Sequence, residues 1–458
     1  MNPTLTDNIL VISYFLVWVL ALVIYQRKNR QLDAGSAIMG TYICYAFFSI
    51  LTLNRPITFI EYYDFNHLTL FPFIYLFVML VIALSPAIVY HSHPANQIEN
   101  PNTRIFYIIA VVSILSALLL LPNILSNLGD GLLKLMTDTD AGKDAYEEQL
   151  ENASESGGGI SNIPAIIFNA ISEISIFTFF YFMTFKKKNV WLISGLSISI
   201  VVAVLQPIMS GQRGPVIYTL LTVFLGYMFF KQFFSEKIIK VVRYIGVVGA
   251  TMALIPIMAI TFSRFSTMRQ TTISDYFNWY LGQGNIYFNN YALDDNGIRY
   301  GDRTFNLVKR LISSDASRNY LERRSTYDNL YINDDLFTTF VGDFTIDFGP
   351  VVAFLIFVVF NAWVLYATRV KSKKLKVHQA LLLYFTMCIC MQGGMTLFSF
   401  SDTANLKMIC FALLFAYLVL YEIILTKFPR QLNFVRPAGL KLPRRKIIIK
   451  RSAHGQYC

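Results

Sequence analysis

The sequence predicts an all-α polytopic integral membrane protein, from its composition, its apolar runs and the distribution of its basic residues. Of 458 residues, 55% are hydrophobic and 15% are charged, whereas soluble domains carry about 25% charged residues. The mean hydropathy is +0.49. Apolar runs of about 20 residues recur along the chain, and a helix of that length crosses the hydrocarbon core of a bilayer. Such runs must be helical, because lipid cannot satisfy the backbone hydrogen bonds of an open chain.

About eleven transmembrane helices are predicted from these runs. They form a single bundle over residues 1–427, and a basic tail follows over residues 428–458. The approximate bounds of the predicted helices are 8–25, 34–53, 68–90, 105–125, 163–185, 190–209, 215–230, 244–262, 346–368, 379–399 and 407–427.

The basic residues predict the orientation of the bundle, because short loops rich in Lys and Arg stay in the cytoplasm. Loops 26–30 and 186–189 each hold three basic residues, and loop 369–378 holds five. These loops lie together in the cytoplasm if the N-terminus is extracytoplasmic and the C-terminal tail is cytoplasmic. The net charge of +11 is therefore expected to bind anionic membrane lipid, and no nucleic-acid partner is expected.

Two long segments then fall on the extracytoplasmic side. Segment 126–162 holds eight acidic and two basic residues and is expected to be a solvated loop. Segment 263–345, between predicted helices 8 and 9, holds sixteen aromatic residues and is too long for a simple connector. Apolar residues at helical spacing within it predict a short amphipathic helix on the membrane surface. These residues are Phe305, Val308, Leu311 and Ile312.

Arg213 is the first candidate functional residue. It lies in the turn Ser210-Gly211-Gln212-Arg213-Gly214-Pro215, between predicted helices 6 and 7. Proline suits the first turn of a helix, so the Arg213 guanidinium is expected beside a helix N-terminus, where phosphate groups bind. The alternative is an interfacial arginine whose side chain extends to lipid headgroups.

Two further arginines, Arg264 and Arg269, follow predicted helix 8 on the same side of the membrane. Together with Arg213 they would hold the two phosphates of a pyrophosphate through bidentate contacts, which lysine does not reproduce. The alternative for both is ordinary surface charge.

Asp343 and Asp347 lie where segment 263–345 returns to the membrane. A carboxylate at the hydrocarbon boundary is costly unless it is paired or functional, and a spacing of four residues puts both on one face of a helix. Either would pair with an arginine or act as a general base. The alternative is that one of them caps a helix N-terminus.

Glu173 falls near the middle of predicted helix 5. An acid at that depth usually faces a partner or a polar cavity, so one interpretation is a buried ion pair or a proton site. The other is a protonated glutamate that holds helices together by hydrogen bonds. A separate aromatic run over residues 276–291 offers rings that stack on sugars, form an interfacial belt, or do both.

Motifs for several other chemistries are absent from the sequence. It contains no phosphate-binding loop, no dinucleotide-binding glycine motif after a strand and no nucleophile-elbow serine motif. The five histidines are scattered, with no cluster at metal-ligand spacing. No metal and no other cofactor is therefore expected.

With these features the chain resembles the bacterial oligosaccharide repeat-unit polymerases of the O-antigen polymerase (Wzy) type. The turn over residues 210–214 is similar to the family's Ser-Gly-x-Arg-Gly element. The segment Gly342-Asp343-Phe344-Thr345-Ile346-Asp347-Phe348-Gly349 follows a long outer loop, and that loop precedes the last three predicted helices. The related ligases are expected to use a histidine in this loop, and residues 263–345 contain none.

The resemblance implies a metal-independent glycosyltransferase, a multi-pass protein of the bacterial inner membrane that polymerises O-antigen of lipopolysaccharide or a related polysaccharide. Its substrates would be undecaprenyl-pyrophosphate-linked glycans, and a chain-length regulator protein is an expected partner. An acceptor sugar hydroxyl would attack the anomeric carbon of the growing glycan, and the lipid pyrophosphate would leave. The residues implied as catalytic are Arg213, Arg264, Asp343 and Asp347. Those implied in substrate binding are Arg269, Arg299, Arg303, Arg310, Trp279 and Tyr280.

Two other functions stay open at this point. A flippase or transporter of lipid-linked oligosaccharides is one, and transporters usually carry internal repeats and charged residues at midplane. The chain has Glu173 at that depth but no visible repeat. The other is a ligase-type transferase, which differs from the polymerase in its acceptor.

Overall fold

The structure of the protein is a computed structural model that describes most of the chain. The described residues are 3–55, 65–92, 95–99, 103–137, 163–209, 212–265, 272–294, 296–313, 326–327, 331, 337–370, 373–395 and 402–427. The predicted tail 428–458 and most of predicted segment 126–162 lie outside these residues.

The described residues form thirteen α-helices, one 3₁₀ turn and two short strands. The first seven helices are α1 Leu5–Asn29, α2 Ala34–Leu53, α3 Leu70–Ser92, α4 Arg104–Thr137, α5 Ile163–Met183, α6 Val190–Met209 and α7 Gly214–Phe230, which the 3₁₀ turn Lys231–Phe233 follows. The others are α8 Glu236–Phe265, α9 Ile273–Tyr291, α10 Asn306–Ile312, α11 Thr339–Ala367, α12 Val377–Gln392 and α13 Asp402–Lys427. Strands β1 Gln97–Glu99 and β2 Lys374–Lys376 pair in parallel.

Ten of the described helices are long and apolar enough to cross a membrane, so the fold is that of a multi-pass helical membrane protein. These ten correspond to ten of the eleven predicted spans. The exception is α12, predicted over 379–399, which has only 16 residues and is therefore about 24 Å long. It ends before Gly393 and Gly394 because that turn packs closely on α11 and α2. A Cβ added at either glycine would lie 2.4 Å from a ring atom of Phe340 or Tyr45.

The two ends of the bundle are called the loop end and the strand end. At the loop end, the start of α1 meets the end of α2 and the start of α3: Asp7 accepts the Leu68 N–H at 2.6 Å, and Asn54 donates to Asn8 at 2.6 Å. At the strand end, β1 and β2 join the segments that follow α3 and precede α12.

Helices α1 and α13 both begin at the loop end. α1 begins at the loop end, where α9, α10 and the start of α11 also lie. α13 starts at the loop end, where Asp402 pairs with Arg310, and it passes the strand end, where Glu422 pairs with Lys376. The start of α1 therefore shares one end of the bundle with α9, α10 and the start of α11.

Local signals explain where the first helices begin. Thr4 caps α1, and the Asp7 carboxylate accepts a hydrogen bond from the Thr4 backbone N–H, which satisfies donors that an open helix end would leave unpaired. Asp33 caps α2 in the same way through Ser36. Both caps hold short turns at the ends of apolar helices.

The long segment 263–345 contains a buried helix that the sequence did not predict. Helix α9 packs along α2, where Ser49 Oγ donates to the Gly282 carbonyl at 2.7 Å and the Asn285 amide donates to Ser49 Oγ at 3.0 Å. Thr52 Oγ1 also donates to the Asn278 carbonyl at 2.7 Å. The polar atoms of α9 thus find partners on α2, which explains how so polar a helix is buried.

Replacing Gly282 by alanine is expected to destabilise the protein by about 1–3 kcal/mol, as overpacking of a tight interface does. The added Cβ would lie 2.4 Å from the Phe48 carbonyl oxygen, and backbone cannot move aside as a side chain can. Gly40 of α2 is the matched control, because a Cβ there meets no atom within 4 Å. Thermal unfolding in detergent checks the pair. Equal midpoints for Gly282→Ala and Gly40→Ala would refute the packing described.

Helix α11 consists of two helical segments that meet at Gly349. This residue has φ 76° and ψ 160°, a conformation open to glycine but not to other residues without strain. Pro350 follows and cannot donate a backbone hydrogen bond to the preceding turn. The first segment, residues 339–348, carries both predicted aspartates at the loop end.

Candidate functional site

A cluster of polar side chains is enclosed at the loop end of the bundle. Its members come from α2, α7, α9, α11 and the turn before α10, elements that the loop-end contacts hold together. They are Tyr45, Arg213, Tyr218, Tyr280, Arg303 and Asp343. These six residues are called the loop-end cluster below.

Arg213 lies at the N-terminus of α7, as the sequence predicted. It is the residue before the first helical turn, and Pro215 occupies that turn. The residue is 9% exposed, and its guanidinium carbon lies 4.5 Å from the centre of the Tyr280 ring. A planar guanidinium stacked on an aromatic ring is held by both cation–π attraction and packing. Ser210 and Gly211 lie outside the described residues.

The charge of Arg213 is retained despite its burial. Burial lowers the pKa of this guanidinium from its ordinary value, and interaction with Tyr280 acts in the opposite direction. Arginine remains protonated at neutral pH even so. The first turn of α7 also directs unpaired backbone N–H groups toward the loop end. A fixed positive charge and a helix N-terminus therefore coincide at one point.

Asp343 pairs with Arg303, forty residues away in the sequence. The carboxylate oxygen Oδ1 accepts hydrogen bonds from Arg303 Nε at 2.9 Å and from a terminal guanidinium nitrogen at 2.7 Å. The two side chains are 0% and 1% exposed. Asp343 is thus an arginine-orienting partner, the first of the roles predicted for it, and it does not cap α11, whose N-cap is Thr338.

Asp347 holds the turn that carries Arg303. Its carboxylate accepts the backbone N–H groups of Arg303 at 3.0 Å and Thr304 at 2.6 Å, and the Thr304 hydroxyl at 2.7 Å. Its own backbone carbonyl accepts the Tyr300 N–H at 2.8 Å. Asp347 thus stabilises a neighbouring turn, and it is not the N-cap of α10 or α11, which are Phe305 and Thr338. The predicted role as general base stays a prediction.

Tyr218 is the member of the loop-end cluster that lies within α7. It lies in α7, about one helical turn beyond Arg213, and interacts electrostatically with Tyr280, Tyr45 and Asp343. Tyr218 was not among the functional residues predicted from the sequence. The available signal was a hydroxyl in an otherwise apolar run, on the helix that begins at Arg213.

A second group of polar residues surrounds the turn beside the cluster. Arg299 is 3% exposed, and its guanidinium carbon lies 5.5 Å from the centre of the Tyr327 ring. Lys309 Nζ donates to the Tyr327 hydroxyl at 3.1 Å and to Asp302 at 3.5 Å. Burial lowers the pKa of Lys309, but these two partners outweigh it, so the pKa lies above its ordinary value. The ammonium group is therefore charged at neutral pH.

The predicted amphipathic helix is present as α10, and its arginine is paired. Arg310 forms an ion pair with Asp402 at the start of α13. Leu311 and Ile312 are strongly exposed, at 74% and 83%, which suits contact with lipid. Arg303 precedes this helix and points into the protein.

Among the remaining predicted site residues, the side chains of Trp279 and Tyr280 are described, whereas those of Arg264 and Arg269 are not. Trp279 is buried at 6% exposure on α9 and belongs to the hydrophobic core, whereas Tyr280 is only partly buried and contacts Arg213. The backbone at Arg264 belongs to the last turn of α8, but its side chain is not described, and Arg269 lies outside the described residues. Their predicted contacts with pyrophosphate stay predictions.

Glu173 forms a buried ion pair, the first of its two predicted alternatives. Its carboxylate lies 3.6 Å from Lys407 Nζ of α13 and accepts a hydrogen bond from the Gln392 amide at 3.1 Å. The same amide donates to the Thr222 hydroxyl of α7 at 2.8 Å. This network links α5, α7, α12 and α13 within the apolar bundle. Lys407 was not predicted from the sequence as the partner of Glu173.

Replacing Lys407 by methionine is expected to destabilise the protein by about 1–3 kcal/mol, because the Glu173 carboxylate would lose a charged partner while still buried. The double variant Glu173→Gln, Lys407→Met removes both charges and is expected to recover most of that loss. Thermal unfolding in detergent measures both, with the exposed Lys237→Met as control. A double variant less stable than Lys407→Met would contradict the pairing.

The loop-end cluster is suited to holding an anion rather than a metal ion. Within the part of the chain that the structure describes, no group of three or more His, Cys, Asp or Glu side chains could hold a metal ion. Arg213 supplies a fixed guanidinium, and the turn around Arg303 is held rigidly by two aspartates. No family model matches the chain, and no curated protein or solved structure matches it.

Proposed function

We propose that the protein polymerises undecaprenyl-pyrophosphate-linked oligosaccharide repeat units by glycosyl transfer of the growing glycan onto the incoming unit. The observation that supports this best is the enclosed guanidinium of Arg213, stacked on Tyr280 at the N-terminus of α7. Positive charge and free helix N–H groups at one point form a binding site for phosphate. The resemblance of the turn over residues 210–214 to the polymerase element supports the same function.

The reaction requires charge stabilisation more than acid–base chemistry. The acceptor hydroxyl oxygen forms a new bond to the anomeric carbon, and the bond from that carbon to the pyrophosphate oxygen breaks. Its electron pair stays on the pyrophosphate, and the hydroxyl proton passes to solvent or to the leaving group. Preorganised cations at the developing charge lower the barrier for such a step. In this proposal Arg213 supplies that charge directly, and Asp343 orients Arg303 beside it.

The proposed location is the inner membrane of a bacterium, with the loop end outside the cytoplasm. The short loops rich in Lys and Arg connect helices at the strand end, which favours the cytoplasm for that end. The activated lipid-linked donor makes ATP unnecessary outside the cell. A chain-length regulator protein would contact the same enzyme, and the product would be O-antigen or a related surface polysaccharide.

A flippase for the same lipid-linked glycans is the second candidate, and one observation favours it. The Glu173–Lys407 pair lies within the apolar bundle, and charged pairs at that depth often belong to transport pathways. A ligase-type transferase would use the same chemistry with another acceptor.

Purified protein in liposomes with synthetic lipid-linked repeat units tests these functions. A polymerase converts single units into a ladder of longer products without nucleotide or metal, whereas a flippase moves them across the bilayer unchanged. A ladder that is present with the wild type and absent with Arg213→Ala supports the proposal. Transbilayer movement with no ladder would overturn it in favour of the flippase.

A further inference from the structure

The strand end of the bundle carries a small polar pocket that the proposed function does not use. It is enclosed by the end of α1, the turn into α2, the end of α3 and the 3₁₀ turn after α7. The pocket has a volume of about 50 Å³, and a single water molecule needs ~10–15 Å³ by the same kind of measure. Its lining residues are Asn29, Gln31, Asp33, His91, Met228, Lys231 and Gln232.

His91 places an unsatisfied polar atom against this pocket. Its side chain is 6% exposed, and its Nδ1 lies 3.9 Å from Asp33 Oδ2. No described residue makes a hydrogen bond with its Nε2. A buried polar nitrogen without a partner destabilises the protein, so a ligand that supplies the missing bond is bound more tightly.

The carboxylate of Asp33 is already committed to the protein. Its oxygens accept hydrogen bonds from the Tyr25 hydroxyl at 2.8 Å and the Ser36 N–H at 2.8 Å, with the Asn29 amide at 3.5 Å. Asp33 therefore acts on the pocket mainly through its charge. A bound anion would favour the protonated form of His91, in which Nε2 is a hydrogen-bond donor.

The other charged groups at this pocket are positive. Lys231 donates to the Leu32 carbonyl, and it interacts electrostatically with Asp33 and with Arg243 of α8. The Gln232 amide donates to the Tyr90 hydroxyl at 2.5 Å. Lys231 and the nearby Arg243 together outnumber the single carboxylate of Asp33.

We propose that this pocket binds a phosphate group, held by His91 Nε2 and Lys231 Nζ. The ligand matches the hydrogen-bond donors of the pocket and the net positive charge around it. The group belongs either to the headgroup of an anionic lipid or to free phosphate. The pocket lies where α1, α3 and α7 end, which is the depth at which lipid headgroups meet basic residues between helices.

Thermal unfolding of the purified protein in detergent tests the proposal, because a ligand that binds the folded state raises the unfolding midpoint. The probes are a short-chain phosphatidylglycerol and inorganic phosphate, each titrated against wild type, His91→Ala, Lys231→Ala and the control Lys237→Ala. Lys237 is an exposed lysine of the following helix. Loss of one charged contact is expected to weaken binding by about tenfold or more.

The outcomes distinguish a lipid headgroup from free phosphate, and both from a pocket that binds no phosphate group. Stabilisation by phosphatidylglycerol alone assigns the pocket to a lipid headgroup, and stabilisation by both probes assigns it to the phosphate group itself. In either case the effect must shrink in His91→Ala and Lys231→Ala and persist in Lys237→Ala. His91→Gln, which keeps a donor, should retain part of it. No stabilisation of wild type, or equal stabilisation of all variants, overturns the proposal, and neither outcome bears on the polymerase reaction at the loop end.

Discussion

Replacing Arg213 by alanine is expected to lower the rate of polymer formation by about 10²–10³-fold, the usual effect of removing one preorganised charge-stabilising group. The variant loses the guanidinium that stacks on Tyr280 at the N-terminus of α7. Single repeat units should still reach the cell surface, because the supply of substrate does not depend on this residue. Polymer ladders from cells and from purified protein measure the effect.

Arg213→Lys is expected to remain inactive. An ammonium group is a single point charge and lacks the planar fork that binds phosphate through two hydrogen bonds. It would also lose the flat contact with the Tyr280 ring. Arg27→Ala is the matched control, because Arg27 is an exposed arginine in the last turn of α1 at the strand end. Normal polymer length in Arg213→Ala cells would refute the role assigned to this residue.

Replacing Asp343 by alanine is expected to destabilise the protein by about 3–5 kcal/mol, as loss of one partner from a buried ion pair does. Arg303 would keep its charge at 1% exposure with its two hydrogen bonds to Asp343 broken. Thermal unfolding in detergent measures the loss. The turn before α10 should also become more accessible to protease, because the Arg303 side chain fixes it to α11.

The double variant Arg303→Met, Asp343→Leu separates stability from function. Apolar residues of similar volume often replace a buried ion pair with little loss of stability, so this variant should unfold close to the wild-type temperature. Its polymerase activity should nonetheless fall, because the loop-end cluster would lack the Arg303 guanidinium. If the double variant is as unstable as Asp343→Ala, the Arg303–Asp343 pair is not the interaction that holds this turn.

Much of the bundle could be predicted from hydropathy alone, because crossing lipid imposes length and apolarity on each helix. The ten long helices follow from that constraint. Helix α12 is shorter than that constraint predicts, because it lies in the protein interior and packs mainly against other helices. The Gly393–Gly394 turn that ends it is shaped by contacts with Phe340 and Tyr45, which come from distant parts of the chain.

Helix α9 was missed for a related reason. Its sequence is polar and aromatic, so it resembles neither a membrane span nor an ordinary surface helix. What buries it is a complementary face on α2, where Ser49 and Thr52 bond to its backbone and Gly282 allows close approach. Such complementarity depends on two segments more than 200 residues apart.

The candidate site was predictable where the chemistry is local. Arg213, two residues before Pro215, predicts a positive charge at a helix N-terminus. The four-residue spacing of Asp343 and Asp347 predicts that both lie on one face of a helix. The partner of Asp343 could not be chosen from nine basic residues in segment 263–345 without the fold. The same holds for Lys407, which pairs with Glu173 across the bundle.

The most direct test of the proposed site is a structure of the protein with a polyprenyl pyrophosphate bound in a lipid nanodisc. The diphosphate is expected at the loop end. One of its oxygens should lie within hydrogen-bond distance of the Arg213 guanidinium and of the first N–H groups of α7. A diphosphate bound at the strand end, or one bound at the loop end that leaves Arg213 buried against Tyr280 without contact, would contradict it.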